Sequence, residues 1–323
     1  MRRRQPWRRC KMSPMNSDSP LLRLLVNGKS AQSPVLRQAV ETARQQGARL
    51  EVLVTWEAGD AGKFARQAGA DGVSRLLVAG GDGTVNEAVN GLMRLSREAR
   101  PALGVLPMGT ANDLATGLGI PEDLEAALSL SLDATPHPVD VLRLGEHHFL
   151  NMLSAGFGAE ITASTPKTLK RLLGGGAYSL MGALKAWRFR PCPARLSWPG
   201  GEGHRELFLL AIGNGAQAGG GQRLSPLARL DDGLLEVLAV RQFSSLAGMR
   251  QMLAELRRLP ASGDYVEYWQ ADRIRVMADQ PLTLTLDGEP HRLAHLEVGL
   301  TPGAIDLLAP RDCPLLTPAA PSP

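Results

Sequence analysis

The sequence predicts two domains: an α/β domain with helices on both faces of a parallel sheet, then a β-rich half built as two packed sheets. Three observations carry this. The chain has 323 residues of which 44% are hydrophobic, enough for more than one core. Strand-like and helix-like segments alternate from Leu21 to about Val139. After His137-Pro138 the texture changes to short apolar runs separated by glycine turns.

The first half reads element by element. Leu21 to Val26 is an apolar run ending at Asn27-Gly28. Ser33-Pro34 supplies an N-cap with proline at the first helical position, and Gly47 closes that helix. Leu50 to Thr55 is a second strand, and Asp60 opens a short helix. Leu76 to Ala79 is the third strand, Ala102 to Leu106 the fourth, and Pro121 to Leu130 a helix with acids in its first turn. In a parallel sheet, ligands bind beyond the carboxyl ends of the strands. Asn27, Thr55, the loop at Gly80 and the loop at Pro107 all fall there.

In the second half, Val139 to Leu144, His148 to Met152, Leu207 to Ile212 and Leu234 to Val240 read as strands. Leu282 to Asp287 alternates with period two, and helical inserts are expected near 166–189 and 244–258. The stretch from Lys167 to Arg190 carries six basic residues, with Tyr178, Met181, Leu184 and Trp187 at three-residue intervals. The preferred reading is an amphipathic helix packed on the sandwich, ahead of a membrane-surface helix. The end, from Pro314, is a proline-rich tail expected to be disordered.

Composition narrows the function. No apolar stretch approaches the ~18 residues of a membrane-spanning helix. Cys10, Cys192 and Cys313 are few, odd in number and far apart, which argues against a disulfide framework or a zinc site and fits a reducing cytosol. The formal charge is +4, but residues 1–11 hold six basic side chains and no acid, so the other residues sum to −2. The basic start lacks the apolar segment of a secretory signal. The reading preferred over a lipid or nucleic-acid contact is a dispensable leader, or an upstream start with Met12 or Met15 as the true beginning.

The chemistry gathers in glycine loops. Gly80-Gly81-Asp82-Gly83-Thr84-Val85-Asn86-Glu87 joins a strand to a helix. Glycines let the backbone approach a ligand, and the free N–H groups of the helix start favour anions. Asp82 would repel phosphate there; a divalent metal resolves the conflict and suggests a nucleotide bound with Mg²⁺. The loop lacks the third glycine of a dinucleotide fingerprint, and Arg23 stands where a Walker A before Gly28-Lys29-Ser30 needs glycine. A second loop, Pro107-Met108-Gly109-Thr110-Ala111-Asn112-Asp113, follows the next strand. On pattern alone, Asp231-Asp232-Gly233 and Asp287-Gly288 read first as hairpin turns with no metal and no base.

Gly-Gly-Asp-Gly-Thr together with Gly-Thr-Ala-Asn-Asp resembles the diacylglycerol kinase catalytic domain family, closest to bacterial lipid kinases of the YegS type. The similarity runs from about Leu21 to Leu316. It takes in Leu24 to Ser30, Val54 to Glu57, Gly213 to Gly215, Gln217 to Gln222, Asp231 to Leu235 and Leu286 to Pro290.

The resemblance implies an α/β domain like that of phosphofructokinase and NAD kinase, and a β-sandwich that presents lipid. It implies an ATP- and Mg²⁺-dependent kinase that phosphorylates a hydroxyl of a phosphatidylglycerol-like or diacylglycerol-like lipid, in phospholipid metabolism. Nucleotide contacts carry over onto Thr55, Gly81, Asp82, Gly83, Thr84, Val85, Asn86, Glu87 and Thr110. A second, structural Mg²⁺ site (Ca²⁺ being the other candidate) carries over onto the Asp232 carboxylate and the main-chain carbonyls of Arg229 and Leu234. The proton acceptor is one of Glu289 and Asp287, with Glu289 favoured.

The expected division is a basic flexible tail at 1–20, the ATP-binding domain at 21–139, the lipid-substrate sandwich at 140–305 and a segment at 306–323 packing back on the first domain. The enzyme would be cytoplasmic, would visit the membrane transiently at its surface, and would need no nucleic acid. The alternatives are a kinase of a soluble acceptor, as NAD kinase is, and a non-catalytic nucleotide-binding membrane adaptor.

Overall fold

A computed structural model of the chain describes residues 20–157 and 190–317. The basic start, the expected helix at 166–189, Cys10 and the last six residues lie outside this description.

The first half is βα-alternating: β1 (Leu22–Asn27), α1 (Pro34–Gln45), β2 (Leu50–Thr55), α2 (Asp60–Ala70), β3 (Arg75–Gly80), α3 (Asp82–Leu92), β4 (Ala102–Pro107), α4 (Asp113–Gly117) and α5 (Leu124–Asp133). Local signals set the helix ends. Ser33 Oγ accepts the Leu36 N–H at 3.3 Å with Pro34 as the first helical residue, and Gly47 takes φ 97° just past the end of α1. The helix expected from Pro121 starts at Leu124, because Asp123 is the cap and accepts the Ala126 N–H at 2.9 Å.

The parallel order is β4-β3-β1-β2. The chain crosses from β1 to β2 in one direction and from β2 past β1 to β3 in the other. Right-handed crossovers therefore put α1 and α2 on opposite faces. The crevice opens where the order reverses, between the ends of β1 and β3.

In the second half come β5 (Pro136–Leu144), β6 (His147–Phe149), β7 (Met152–Gly156), β8 (Cys192–Trp198), β9 (Gly201–Gly213), β10 (Gln217–Ala218), β11 (Gln222–Arg223), β12 (Leu235–Arg241), α6 (Leu246–Leu256), β13 (Val266–Ala271), β14 (Arg273–Leu286) and β15 (Glu289–Leu308). The strand expected over His148 to Met152 divides into β6 and the start of β7. The break falls where the N–H groups of Leu150, Asn151 and Met152 turn to the Asp287 carboxylate.

Long strands serve both layers of the sandwich. β9 pairs β8 through Leu207 and β7 from Leu209; β14 pairs β8 over Arg275–Ala278 and β7 over Leu284–Leu286. Irregular register between Met277 and Leu282 bends β14 at the corner. The enclosed core includes Phe149, Leu153, Leu210, Val237, Ile274 and Leu284.

β15 ties the halves together. It leaves the β14 turn at Glu289, pairs β14 and β5, and ends beside β4 with Leu307 opposite Leu103, parallel. Ile305, Leu308, Cys313, Leu315 and Leu316 are buried in the first core. Cys192 and Cys313 are free thiols. Among the described residues no helix is long and apolar enough to cross a membrane.

Leu77 in β3 is fully buried in that core. Leu77→Ala is expected to lower unfolding free energy by about 3 kcal/mol in urea titration, through lost transfer energy and the cavity left behind. A loss below about 1 kcal/mol would mean a loosely packed sheet centre.

Candidate active site

The crevice is built by backbone geometry first. Gly81 is the N-cap of α3 and bears no side chain, so the helix start is without a side-chain cap. The second loop meets the first glycine against glycine. A methyl on Gly81 would lie 3.0 Å from Gly109 Cα, and one on Gly109 would collide with Gly81 Cα. Asn112, in left-handed backbone at φ 51°, fixes the second loop by accepting the Gly109 N–H at 2.8 Å. Thr110 is exposed on that loop.

At the switch point Asn27 Nδ2 donates to Thr84 Oγ1 at 3.0 Å, and Thr55 Oγ1 accepts the Gly28 N–H at 3.3 Å. Thr55 is buried, and Trp56 after it is 95% exposed. The loop that carries Trp56 is held by Asp60, which accepts the Trp56 and Glu57 N–H groups at 2.8 and 3.1 Å.

The residues of the first loop divide by what they touch. Asp82 Oδ2 and Oδ1 accept the N–H groups of Asp113 and Leu114, both at 3.2 Å, so the acid braces the second loop at the start of α4. Burial holds the Asp82 carboxyl above its ordinary range against these donors, and the Asp113 charge adds to the rise. Val85 is in the core. Asn86 Nδ2 donates to the His148 carbonyl at 3.0 Å and to Asp287 Oδ2 at 3.1 Å. Glu87 Oε2 accepts the Gly59 N–H at 2.9 Å. Gly81, Asp82, Gly83 and Thr84 thus stand at the mouth, while the next three residues pack, dock and brace.

The second half contributes the β14–β15 turn. Asp287 at φ 45° and Gly288 at φ 92° form a two-residue turn, with Leu286 opposite Glu289. Strand alternation, which would put both acids on one side, does not hold through the turn. The Asp287 carboxylate folds inward, accepting N–H groups of Leu150 (3.2 Å), Asn151 (3.2 Å) and Met152 (2.8 Å) besides Asn86. Burial pushes its pKa up to about 6 against these donors, and the charge of Asp82 adds to the rise. Glu289 is exposed and leans over the first loop: a methyl on Gly83 would stand 2.9 Å from Glu289 Oε1.

Arg229, Asp232 and Leu234 lie together on one turn, away from the Gly81 mouth in sequence and beside Asp140. Asp232 Oδ1 accepts the Leu234 N–H at 3.0 Å, and Asp140 Oδ2 accepts the Gly233 N–H at 2.7 Å. Partial burial raises the Asp232 pKa, helped by Asp140 and Asp231. Arg229 Nη1 donates to the Leu316 carbonyl at 2.7 Å. Among the described residues no three His, Cys, Asp or Glu side chains converge as a ready-made metal centre.

Several contributors carry no sequence signal. Asn90 joins α3 to β6, donating to and accepting from the His148 backbone at 2.8 and 2.9 Å. Asp113 accepts the Gly220 and Gly221 N–H groups at 2.9 and 2.8 Å, tying the second loop to the β10–β11 turn. Asp140 also accepts the Gly303 N–H at 2.8 Å. The four-residue spacing of Asn86 and Asn90 in one helix does place both amides on the same face.

This fold sets a glycine-loop crevice beneath a sandwich turn, a two-domain arrangement suited to holding phosphate. Residues 22–144 match the family model for the diacylglycerol kinase catalytic domain, and residues 151–309 match the YegS C-terminal NAD kinase beta sandwich-like domain. The chain belongs to this family, that of the YegS-like lipid kinases, and is a kinase. A Chromohalobacter salexigens protein named probable lipid kinase YegS-like is 55% identical over 294 residues, 91% of this chain and 94% of that protein. One of the same name from Shewanella frigidimarina is 38% identical over 296 residues, 91% and 96% of the two chains. A Bacillus anthracis (str. Sterne) crystal structure classed with the diacylglycerol kinases has a TM-score of 0.78 at 25% identity, over 94% of this chain and 99% of that one.

Asp287 gives this site a pH signature. Its folded pKa lies above the unfolded carboxylate value, so folding favours its protonated form; stability is expected to fall as pH rises from 3.8 through about 6 and then level off. The difference in unfolding free energy between the wild type and Asp287→Asn, followed against pH, should show that slope. Parallel curves would mean an ordinary carboxylate at this position.

Proposed function

We propose that the enzyme transfers the γ-phosphoryl group of ATP, bound with Mg²⁺, to a hydroxyl of a membrane lipid, with Glu289 as proton acceptor. The observation that carries this is the Glu289 carboxylate leaning over Gly83 at an uncapped helix start. An exposed acid at the phosphate loop has a free lone pair for a hydroxyl proton. Asp287, next to it, has its carboxylate engaged by four donors. The assignment therefore separates the two acids: Glu289 takes the proton, and Asp287 positions the turn.

Residues 21–139 would hold the nucleotide, 140–305 the lipid, and 306–323 would return to the first half. Phosphates would lie along Gly81 to Thr84, with Thr55, Thr110 and the stretch through Glu87 shaping the pocket. The lipid oxygen attacks the γ-phosphorus as its proton passes to Glu289; the bond to the β-phosphate oxygen breaks, ADP departs, and exposed Glu289 returns the proton to solvent. N–H groups at the start of α3 stabilise charge on the phosphoryl oxygens.

The Arg229–Leu234 turn fits a hard divalent cation. Asp232 has one carboxylate oxygen outside its bond to the Leu234 N–H, and its neighbouring acids make the spot favourable for positive charge. The Asp232 carboxylate and the main-chain carbonyls of Arg229 and Leu234 would hold Mg²⁺ or Ca²⁺ there. Cation bound with the nucleotide supplies neutralisation of phosphate charge. The relatives' names favour a lipid acceptor over a soluble one; we take it to be phosphatidylglycerol-like or diacylglycerol-like and the enzyme to be cytoplasmic, visiting the membrane surface.

The test supplies labelled ATP and Mg²⁺ with a panel of lipids and NAD. Label is expected in lipid, and Glu289→Gln should lower kcat about 10²- to 10⁴-fold with the KM for ATP little changed. Label in NAD but no lipid contradicts the acceptor, and full turnover by Glu289→Gln contradicts the base.

A further inference from the structure

Helix α6 has an outer face that the phosphotransfer chemistry does not use. Its inner face is fixed firmly: Ser245 Oγ accepts the Gly248 N–H at 3.0 Å, and Gly248 and Met252 are buried beside Phe243 and Val266. Glu255, the only acid in the helix, faces the following hairpin, where it accepts N–H groups of Asp264, Tyr265 and Val266 at 3.1, 2.8 and 3.0 Å.

The opposite side is apolar and basic. Leu246, Arg250, Leu253 and Arg257 follow each other at spacings of four, three and four, so they form one stripe along the helix. Leu246 is 58% exposed and Leu253 44%. Ala247, Ala254 and Arg258 border the stripe and are exposed too. Among the described residues none of the three arginines forms an ion pair. A soluble helix face ordinarily mixes both signs of charge; this one interleaves leucines with unpaired arginines and carries no acid.

We propose that this face of α6 docks the enzyme onto an anionic bilayer, the leucines entering the interface and the arginines meeting lipid phosphates. Arginine stems can lie along the apolar boundary with their guanidinium groups among headgroups. Leucines alternating with arginines suit that boundary, whereas a nucleic-acid surface has no use for them. The choice of a bilayer as partner rests on the lipid-kinase reading, since such an enzyme must meet its acceptor in a membrane. The face lies clear of the crevice. β12 pairs Glu236 with Gly213 near the Asp287 turn and Arg241 with Leu207 at the far end, where α6 follows, a separation of about 17 Å along the strand.

The experiment is co-sedimentation of the full chain with vesicles of phosphatidylcholine alone or mixed with phosphatidylglycerol. The wild type is expected to partition onto the anionic vesicles only. Each arginine near such a surface is worth about fivefold, so Arg250→Glu with Arg257→Glu should weaken partitioning by about 25-fold or more, and Leu246→Ser with Leu253→Ser should also weaken it. Arg37→Glu, on the exposed side of α1, should leave it unchanged. Turnover of a short-chain lipid dispersed as monomers should match wild type in every variant, which also shows that each one folds.

The proposal falls if the wild type ignores anionic vesicles, if the α6 variants bind as well as wild type, or if Arg37→Glu weakens binding equally. Vesicle binding lost in the α6 variants, with no lipid phosphorylated by any form, would keep the docking face and sink the lipid-kinase reading. Lipid phosphorylation without any vesicle binding would do the reverse.

Discussion

The Asp287 carboxylate is the interaction on which the site depends. It gathers three successive N–H groups, from Leu150 to Met152, and the amide of Asn86 around one buried charge. A carboxylate that satisfies several donors at once is strongly directional, and losing it would leave each of those groups unpaired. Three structural consequences follow. The β6–β7 break is held open, the β14–β15 turn keeps left-handed backbone at a non-glycine residue, and α3 is pulled against the sandwich. Glu289, two residues on, comes to lie over Gly83.

The first loop shows a related economy of charge. Two acids stand where phosphate would be welcomed, yet both are engaged by backbone N–H groups: Asp82 at the start of α4 and Asp113 at the β10–β11 turn. Their negative charge shapes loops as much as it faces ligand. Burial raises Asp82 above an ordinary carboxyl, and a cation beside it would favour its charged form. The glycines at 81 and 109 are required by sterics, because two backbones meet there with no room for a side chain.

Much of this was legible in the chain. The βα alternation, the helix starts at Pro34 and Asp60 and the strand at Leu50–Thr55 rest on local capping and periodicity, and the structure has them at those residues. Gly80 to Thr84 was legible as a strand-to-helix turn, and the structure ends β3 at Gly80 and starts α3 at Asp82. What sequence could not reveal was long-range. Whether Asp287 or Glu289 faces the crevice depends on backbone donors more than 130 residues away in the chain. Asp140 and Asn90 act through contacts of the same kind. The single strand expected at His148–Met152 failed for that reason too: its apolar pattern is real, but its N–H groups are claimed by Asp287.

In the proposed reaction Glu289 and the Gly81–Thr84 backbone would face one phosphoryl group from opposite sides. A crystal structure with a non-hydrolysable ATP analogue and Mg²⁺ tests it most directly. The γ-phosphate is expected on the N–H groups at the start of α3, with the Glu289 carboxylate toward it and Asp287 still bound to Leu150–Met152. A nucleotide bound elsewhere, or a γ-phosphate facing Asp287 with Glu289 turned to solvent, would contradict it.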